Sequence, residues 1–149
     1  MLHNFPEGLR SARQRSPQVV LDFVCQNGML ISWLTSEERT PAVRLAAVQE
    51  CGHAVKYLTL QEMTEEVCVA AVQRNGLAVQ YIPQAKRTMA VRLAAVRSSL
   101  GAVRLLCRAH RTPEVWLEAL KHHPSLYSRL SEEDHPLAAE WLNTEAAQS

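Results

Sequence analysis

Hydrophobic positions along this chain do not alternate as a strand would require; they return at a fixed interval of 24 residues. Val24, Val48, Val72, Val96 and Leu120 fall in one column, with no insertion or deletion between them. A second column holds a hydroxyl in every copy, at Ser16, Thr40, Thr64, Thr88 and Thr112, followed three residues on by a valine (Val19, Val43, Val67, Val91, Val115). A Ser or Thr at that place accepts a hydrogen bond from an orphan N–H of a helix start, and Pro17, Pro41 and Pro113 suit the first helical position. The acidic Glu65 and Glu66 favour the positive end of the third helix dipole.

Within Thr40–Glu50, Val43, Leu45, Ala46, Ala47 and Val48 make the helix apolar around most of its circumference, which predicts a helix sandwiched between neighbours. The Ala pairs 46–47, 70–71 and 94–95 remove bulk where an adjacent helix axis comes close. Gly28, Gly52 and Gly76 then mark the turn. A residue without a Cβ can take the left-handed conformation that ends a helix, and that role is expected here. A second, shorter helix follows, through Ala54-Val55, Ala78-Val79 or Ala102-Val103, to a column of large residues at Trp33, Tyr57, Tyr81 and Leu105. Tyr57 and Tyr81 are expected between units.

Such a hairpin cannot bury its apolar faces alone, so the units must stack on one another. The predicted fold is all-α: an α-solenoid of about five two-helix repeats (16–39, 40–63, 64–87, 88–111, 112–135) in one domain spanning 1–149. Residues 1–15, with Phe5 and Leu9, are read as an N-terminal cap, and 136–149 as a C-terminal capping helix. The last units deviate, with Leu100-Gly101 in place of a turn glycine and Pro124 in the fifth unit.

The stretch Ala70-Ala-Val-Gln-Arg-Asn-Gly-Leu-Ala-Val-Gln-Tyr81 resembles a short bacterial helical repeat with the pattern Ala-Val-x-x-Asn-Gly-x-Ala-Leu-x-Tyr, a domain of unknown function. The unit 40–60 matches less fully, with Cys51 in place of Asn, and the unit 88–108 lacks both Asn-Gly and Tyr. The segment Thr112-Pro-Glu-Val-Trp-Leu-Glu-Ala-Leu-Lys-His-His-Pro-Ser125 also resembles the leucine-rich repeat variant, a solenoid of the same 24-residue period that alternates helix types. These resemblances imply stacked helices and, for the first, a bacterial origin. Neither implies a catalytic residue.

Composition narrows the function classes. A chain of 149 residues that is 47% hydrophobic is a folding chain, and a net charge of +1 supplies no global field for nucleic acid or membrane. Cys25, Cys51, Cys68 and Cys107 form no CxxC pair, so reduced, mostly buried thiols of a cytoplasmic protein are expected. No signal-peptide core and no apolar run long enough for a membrane span are present in the sequence. His110, His122, His123, His135 and Asp134 lack a recurrent ligand spacing, and no metal or cofactor is expected.

Charge is regional. Residues 81–130 carry nine basic side chains against Glu114 and Glu118, and 131–149 carries five acids and no base. Columns pair Arg44 with Arg92 and Lys56 with Arg104, so a basic stripe along the stack is the candidate partner surface, joined by Arg97 and by Trp116 as a half-exposed anchor. For Trp116, packing against the end cap near Trp141 is the competing reading. The column Arg15, Arg39, Arg87 and Arg111, which Met63 interrupts, is assigned to the C-terminal carbonyls of the preceding helix. With no nucleophile–base constellation and no phosphate loop, an enzyme is not expected. The leading expectation is a non-catalytic adaptor, effector or immunity module that binds another protein with an acidic surface. Nucleic-acid binding through 81–130 and a structural or homo-oligomeric role are the alternatives, and no membrane partner is expected.

Overall fold

A computed structural model of the chain describes residues 16–130 and, beyond them, only Ala139 and Asn143. The proposed N-terminal cap and all but those two residues of the C-terminal one, and with them Phe5, Leu9, Arg15, Trp141 and also Asp134 and His135, lie outside the described residues. The described chain is all-α, with no strand. Five helices of 10 residues open the five units: α1 Pro17–Gln26, α2 Pro41–Glu50, α3 Glu65–Arg74, α4 Met89–Ser98 and, after the short α5 Ala102–Leu105 of the fourth unit, α6 Pro113–His122. The hydroxyl column caps four of them. Ser16, Thr40, Thr64 and Thr88 accept from the N–H of Val19, Val43, Val67 and Val91 at 3.3–3.4 Å, whereas Thr112 forms no such bond. Thr64→Ala is therefore expected to lower stability by about 1 kcal/mol, with a reduced midpoint of urea unfolding as the measurement.

The second helix is not α-helical in most units. Gly28–Trp33, Gly52–Tyr57, Gly76–Tyr81 and Pro124–Arg129 are six-residue 3₁₀ helices, so every unit but the fourth alternates an α-helix with a 3₁₀ helix of that length. First helices pack on the first helices of neighbouring units, second helices on second helices, and each second helix of units one to three also leans on the first helix of the next unit. All the principal packings lie within a unit or between adjacent units. The core sits between the two rows. Val24, Val48, Val72 and Val96 are 0% exposed and Leu120 5%, so the column read from the sequence points to one side throughout. Each such side chain contributes roughly 1.5–3 kcal/mol by leaving water.

The turn glycines follow a different logic from the expected one. No residue, glycine or otherwise, has a positive φ among the described residues. The left-handed assignment is corrected: the helix-ending residues Asn27, Cys51, Asn75 and Ser99 are extended, with φ between −138° and −153°. The glycine is needed because the second helix runs against the backbone of the next unit. A Cβ on Gly76 would stand 2.5 Å from the carbonyl oxygen of Ala95, and those on Gly28 and Gly52 would come closer still to the carbonyls of Ala47 and Ala71. The Ala pairs thus act through their carbonyl edge as well as their small volume. Across the same junctions the N–H of Gly28 donates to Glu50 at 2.5 Å and that of Gly76 to Ser98 at 3.1 Å. Asn27 and Asn75 cap the 3₁₀ helices by accepting from Met29 and Leu77 at 3.0 Å.

In the fourth unit Leu100 occupies the glycine column, and a side chain there cannot make the same approach. The second helix starts late, as α5, and packs on its own first helix and on Gly76–Tyr81. Two loops carry a reciprocal device the sequence also spells out, Thr-x-x-Glu: Thr35 with Glu38 and Thr59 with Glu62 exchange side-chain-to-N–H bonds of 2.9–3.4 Å.

Candidate binding surface

The structure disperses the basic stripe. Arg44 and Arg92 share a column as expected, but their guanidinium groups turn to the backbone at the far end of their own unit. Arg44 Nη1 donates to Glu62 O at 3.5 Å and Arg92 Nη1 to His110 O at 3.4 Å. They tie the start of a unit to its end, their stems half-buried. The arginines before the hydroxyls behave alike. Arg87 and Arg111 meet the expected preceding carbonyls, Ile82 O at 2.7 Å and Leu106 O at 3.0 Å. Arg39 instead reaches forward to Tyr57 O at 2.9 Å and pairs with Glu62 at 3.4 Å, and Arg87 also reaches forward, to Leu105 O at 3.2 Å. Met63 and Cys68, which replace the two arginines in these columns, are both buried.

Arg97 is exposed on α4 but bonded to Glu118 of α6, which also lies 3.3 Å from His122. Lys56 is exposed on the second-helix row, its ammonium 5.0 Å from the Tyr57 ring centre and 5.8 Å from that of Tyr81. Trp116 is corrected outright: at 3% exposure it is a core residue and anchors no partner. It forms one wall of a recess of about 150 Å³ that Arg104, Arg111 and Arg129 also line. Of the six candidates, only Arg104 and Trp116 come together.

A different surface emerges on the outward face of the first-helix row. Of these helices, α2, α3 and α4 are packed on both flanks and from below, yet not enclosed. Leu21, Leu45, Val69, Leu93 and Leu117, one column, remain half-exposed as a ridge across all five units. Beside it units two and four carry alanine on both sides, at Ala42 and Ala46 and at Ala90 and Ala94, and unit three on one side, at Ala70 with Glu66 on the other, whereas the end units carry Gln18 and Asp22 or Glu114 and Glu118. Small flanks bounded by charged ends make a groove. It contains a recess of about 370 Å³ around Leu45, Val69, Ala70 and Ala90, walled by Glu65 and Glu66, and a second of about 220 Å³ at Ala94, Arg97 and His122. Gln73 lines both. The signal for this groove was the departure of units two to four from the end units in the column of Ala46, Ala70 and Ala94, and of units two and four in that of Ala42 and Ala90, not the shared columns themselves.

Burial pushes the Cys68 thiol up to about 11, leaving it protonated at neutral pH. Among the described residues no group of three or more His, Cys, Asp or Glu side chains could hold a metal. His123 lies 3.0 Å from Val96 O, and burial, with Arg92 and Arg87, holds the His110 pKa below the usual histidine value. No helix of the described residues is long and apolar enough to cross a membrane.

One electrostatic contact gives a pH prediction. The hydrogen bond from Arg97, helped by the charges of Arg97 and His122 against a burial penalty, holds Glu118 below the usual carboxylate range. A depressed folded pKa contributes stability that is present above the ordinary value near 4.3 and lost as pH falls through the folded one. The difference in thermal midpoint between the native chain and Glu118→Gln should therefore be largest near neutrality and shrink as the pH is taken from 5 toward 3.

No family model matches the chain, and neither a curated protein nor a solved structure matches it.

Proposed function

We propose that this chain is a non-catalytic helical-repeat module that binds another protein on the outward face of its first helices, over units two to four. The observation that carries the reading is the half-exposed ridge between α2 and α6 with the two adjoining recesses that share Gln73. The regular alternation of α and 3₁₀ helices at 24 residues supports the resemblance to the leucine-rich repeat variant over that to the Asn-Gly repeat. Four cysteines that are all free support a reducing, cytoplasmic setting. Nucleic-acid binding through 81–130 has less support, because Arg87, Arg92, Arg97 and Arg111 are committed to carbonyls or to Glu118.

Photo-crosslinking tests the reading. Benzoylphenylalanine replacing Gln73 is expected to trap a protein partner in host lysate. The same residue at Lys56, on the other row, is not, and Ala90→Arg, which fills the recess from an exposed position, removes the adduct. Nucleic acid trapped from position 104, with nothing trapped from 73, overturns the proposal in favour of the basic block.

A further inference from the structure

The groove has a period, a polarity and unused hydrogen-bonding groups, and together these specify its occupant more closely than an apolar patch would. Leu45, Val69 and Leu93 stand one per helix along it. Packed helix axes lie about 8–10 Å apart. A polyproline-II chain repeats every three residues at about 3.1 Å each, or about 9 Å per turn, so its every third side chain meets one ridge residue. A β-strand presents side chains on one face every ~6.6 Å and is out of register by the second unit.

The polar groups separate a polyproline-II chain from the remaining candidate, an amphipathic helix. Gln49 and Gln73 are exposed beside the ridge, one per unit, and their side-chain amides make no hydrogen bond among the described residues. Each offers a donor and an acceptor. A helix has already satisfied its main chain internally and offers such amides little, whereas a polyproline-II main chain is fully open. Charge gives the direction. Glu65, which accepts from Thr88 at 2.5 Å, and Glu66, which has no hydrogen-bond or ion-pair partner among the described residues, wall one side, while the basic side chains that line the recesses, Arg97 and His122, both lie against Glu118.

We infer that the groove receives a polyproline-II peptide with an apolar residue at every third position and a basic residue over Glu65 and Glu66, its main chain held by Gln49 and Gln73. The inference rests on the proposed binding role of this face and says what fills it.

A fluorescein-labelled peptide of three Leu-Pro-Pro units ending in lysine is the probe, read by fluorescence polarisation on the full chain. A scrambled peptide of the same composition and a basic helical peptide with leucine at every seventh position are the comparisons. The native protein is expected to bind the probe over the scrambled peptide. Gln49→Ala/Gln73→Ala, with an unchanged thermal midpoint, should weaken it at least tenfold, and Glu66→Gln should weaken it several-fold while flattening its salt dependence. Equal binding of probe and scrambled peptide, or full binding by the double variant, overturns the inference. Preference for the helical peptide also overturns it, yet leaves the face as a protein-binding site. Binding of none of the peptides overturns it too, while crosslinking from position 73 still decides the broader reading separately.

Discussion

Trp116→Ala should lose about 3–5 kcal/mol of stability, the cost typical of truncating a buried tryptophan to alanine. The side chain is 3% exposed, between the fully buried Val115 and Ala119 of α6 and close to Leu126 of the following 3₁₀ helix. Its column explains why the indole belongs there: Val20, Arg44, Cys68 and Arg92 fill the same position in earlier units, and each is buried or half-buried. Since a domain of this kind is held by only about 5–15 kcal/mol, the loss should move the urea midpoint far down at little change in slope. Because stability in a stack is close to a sum over units and junctions, the early loss should concentrate in residues 112–130, visible as hydrogen exchange there before the rest opens. Trp33→Ala is the control, at a side chain that is 40% exposed, and should cost clearly less. If Trp116 were a partner anchor facing solvent, its removal would leave the midpoint within about 0.5 kcal/mol, as surface changes do.

That residue also shows where the sequence stops being legible. The valine column, the hydroxyl caps and the two-helix unit could be read because each follows from a translation of 24 residues and a rule about local chemistry. Trp116 could not, because its column mates Arg44 and Arg92 look like exposed residues by type. Their stems in fact lie against the stack while their guanidinium groups reach carbonyls 18 residues ahead, and only packing shows which way a long side chain turns. The same freedom hid the forward reach of Arg39. The groove was hidden for another reason. It exists where units differ, in alanines that replace Asp22 and Glu118, and a search for shared columns passes over differences. The glycines were the hardest case, since a turn that needs a left-handed residue and a close approach that forbids a Cβ write the same letter.

Those two roles make opposite predictions at Gly76, which gives the second large effect. Gly76→Ala is expected to destabilise by about 1–3 kcal/mol or more, as overpacking does, because the added Cβ would meet the carbonyl of Ala95 at 2.5 Å and Ser99 Cβ at 2.8 Å. The carbonyl is helix backbone and cannot rotate away, so relief requires units three and four to separate. Asparagine discriminates between the explanations. A left-handed position tolerates Asn better than Ala, whereas a forbidden Cβ is common to both, so Gly76→Asn should be at least as damaging as Gly76→Ala. Gly101 supplies the contrast within the same chain. It is helical, with φ −65° and ψ −22°, and the only close approach its Cβ would make is to the Cδ2 of the exposed Leu77, at 2.9 Å. Gly101→Ala should therefore leave the thermal midpoint unchanged or raise it, by up to about 1 kcal/mol, through the lowered entropy of the unfolded chain. A Gly76→Asn variant milder than Gly76→Ala would return the glycine to the turn and remove close inter-unit approach as the reason the stack holds its spacing.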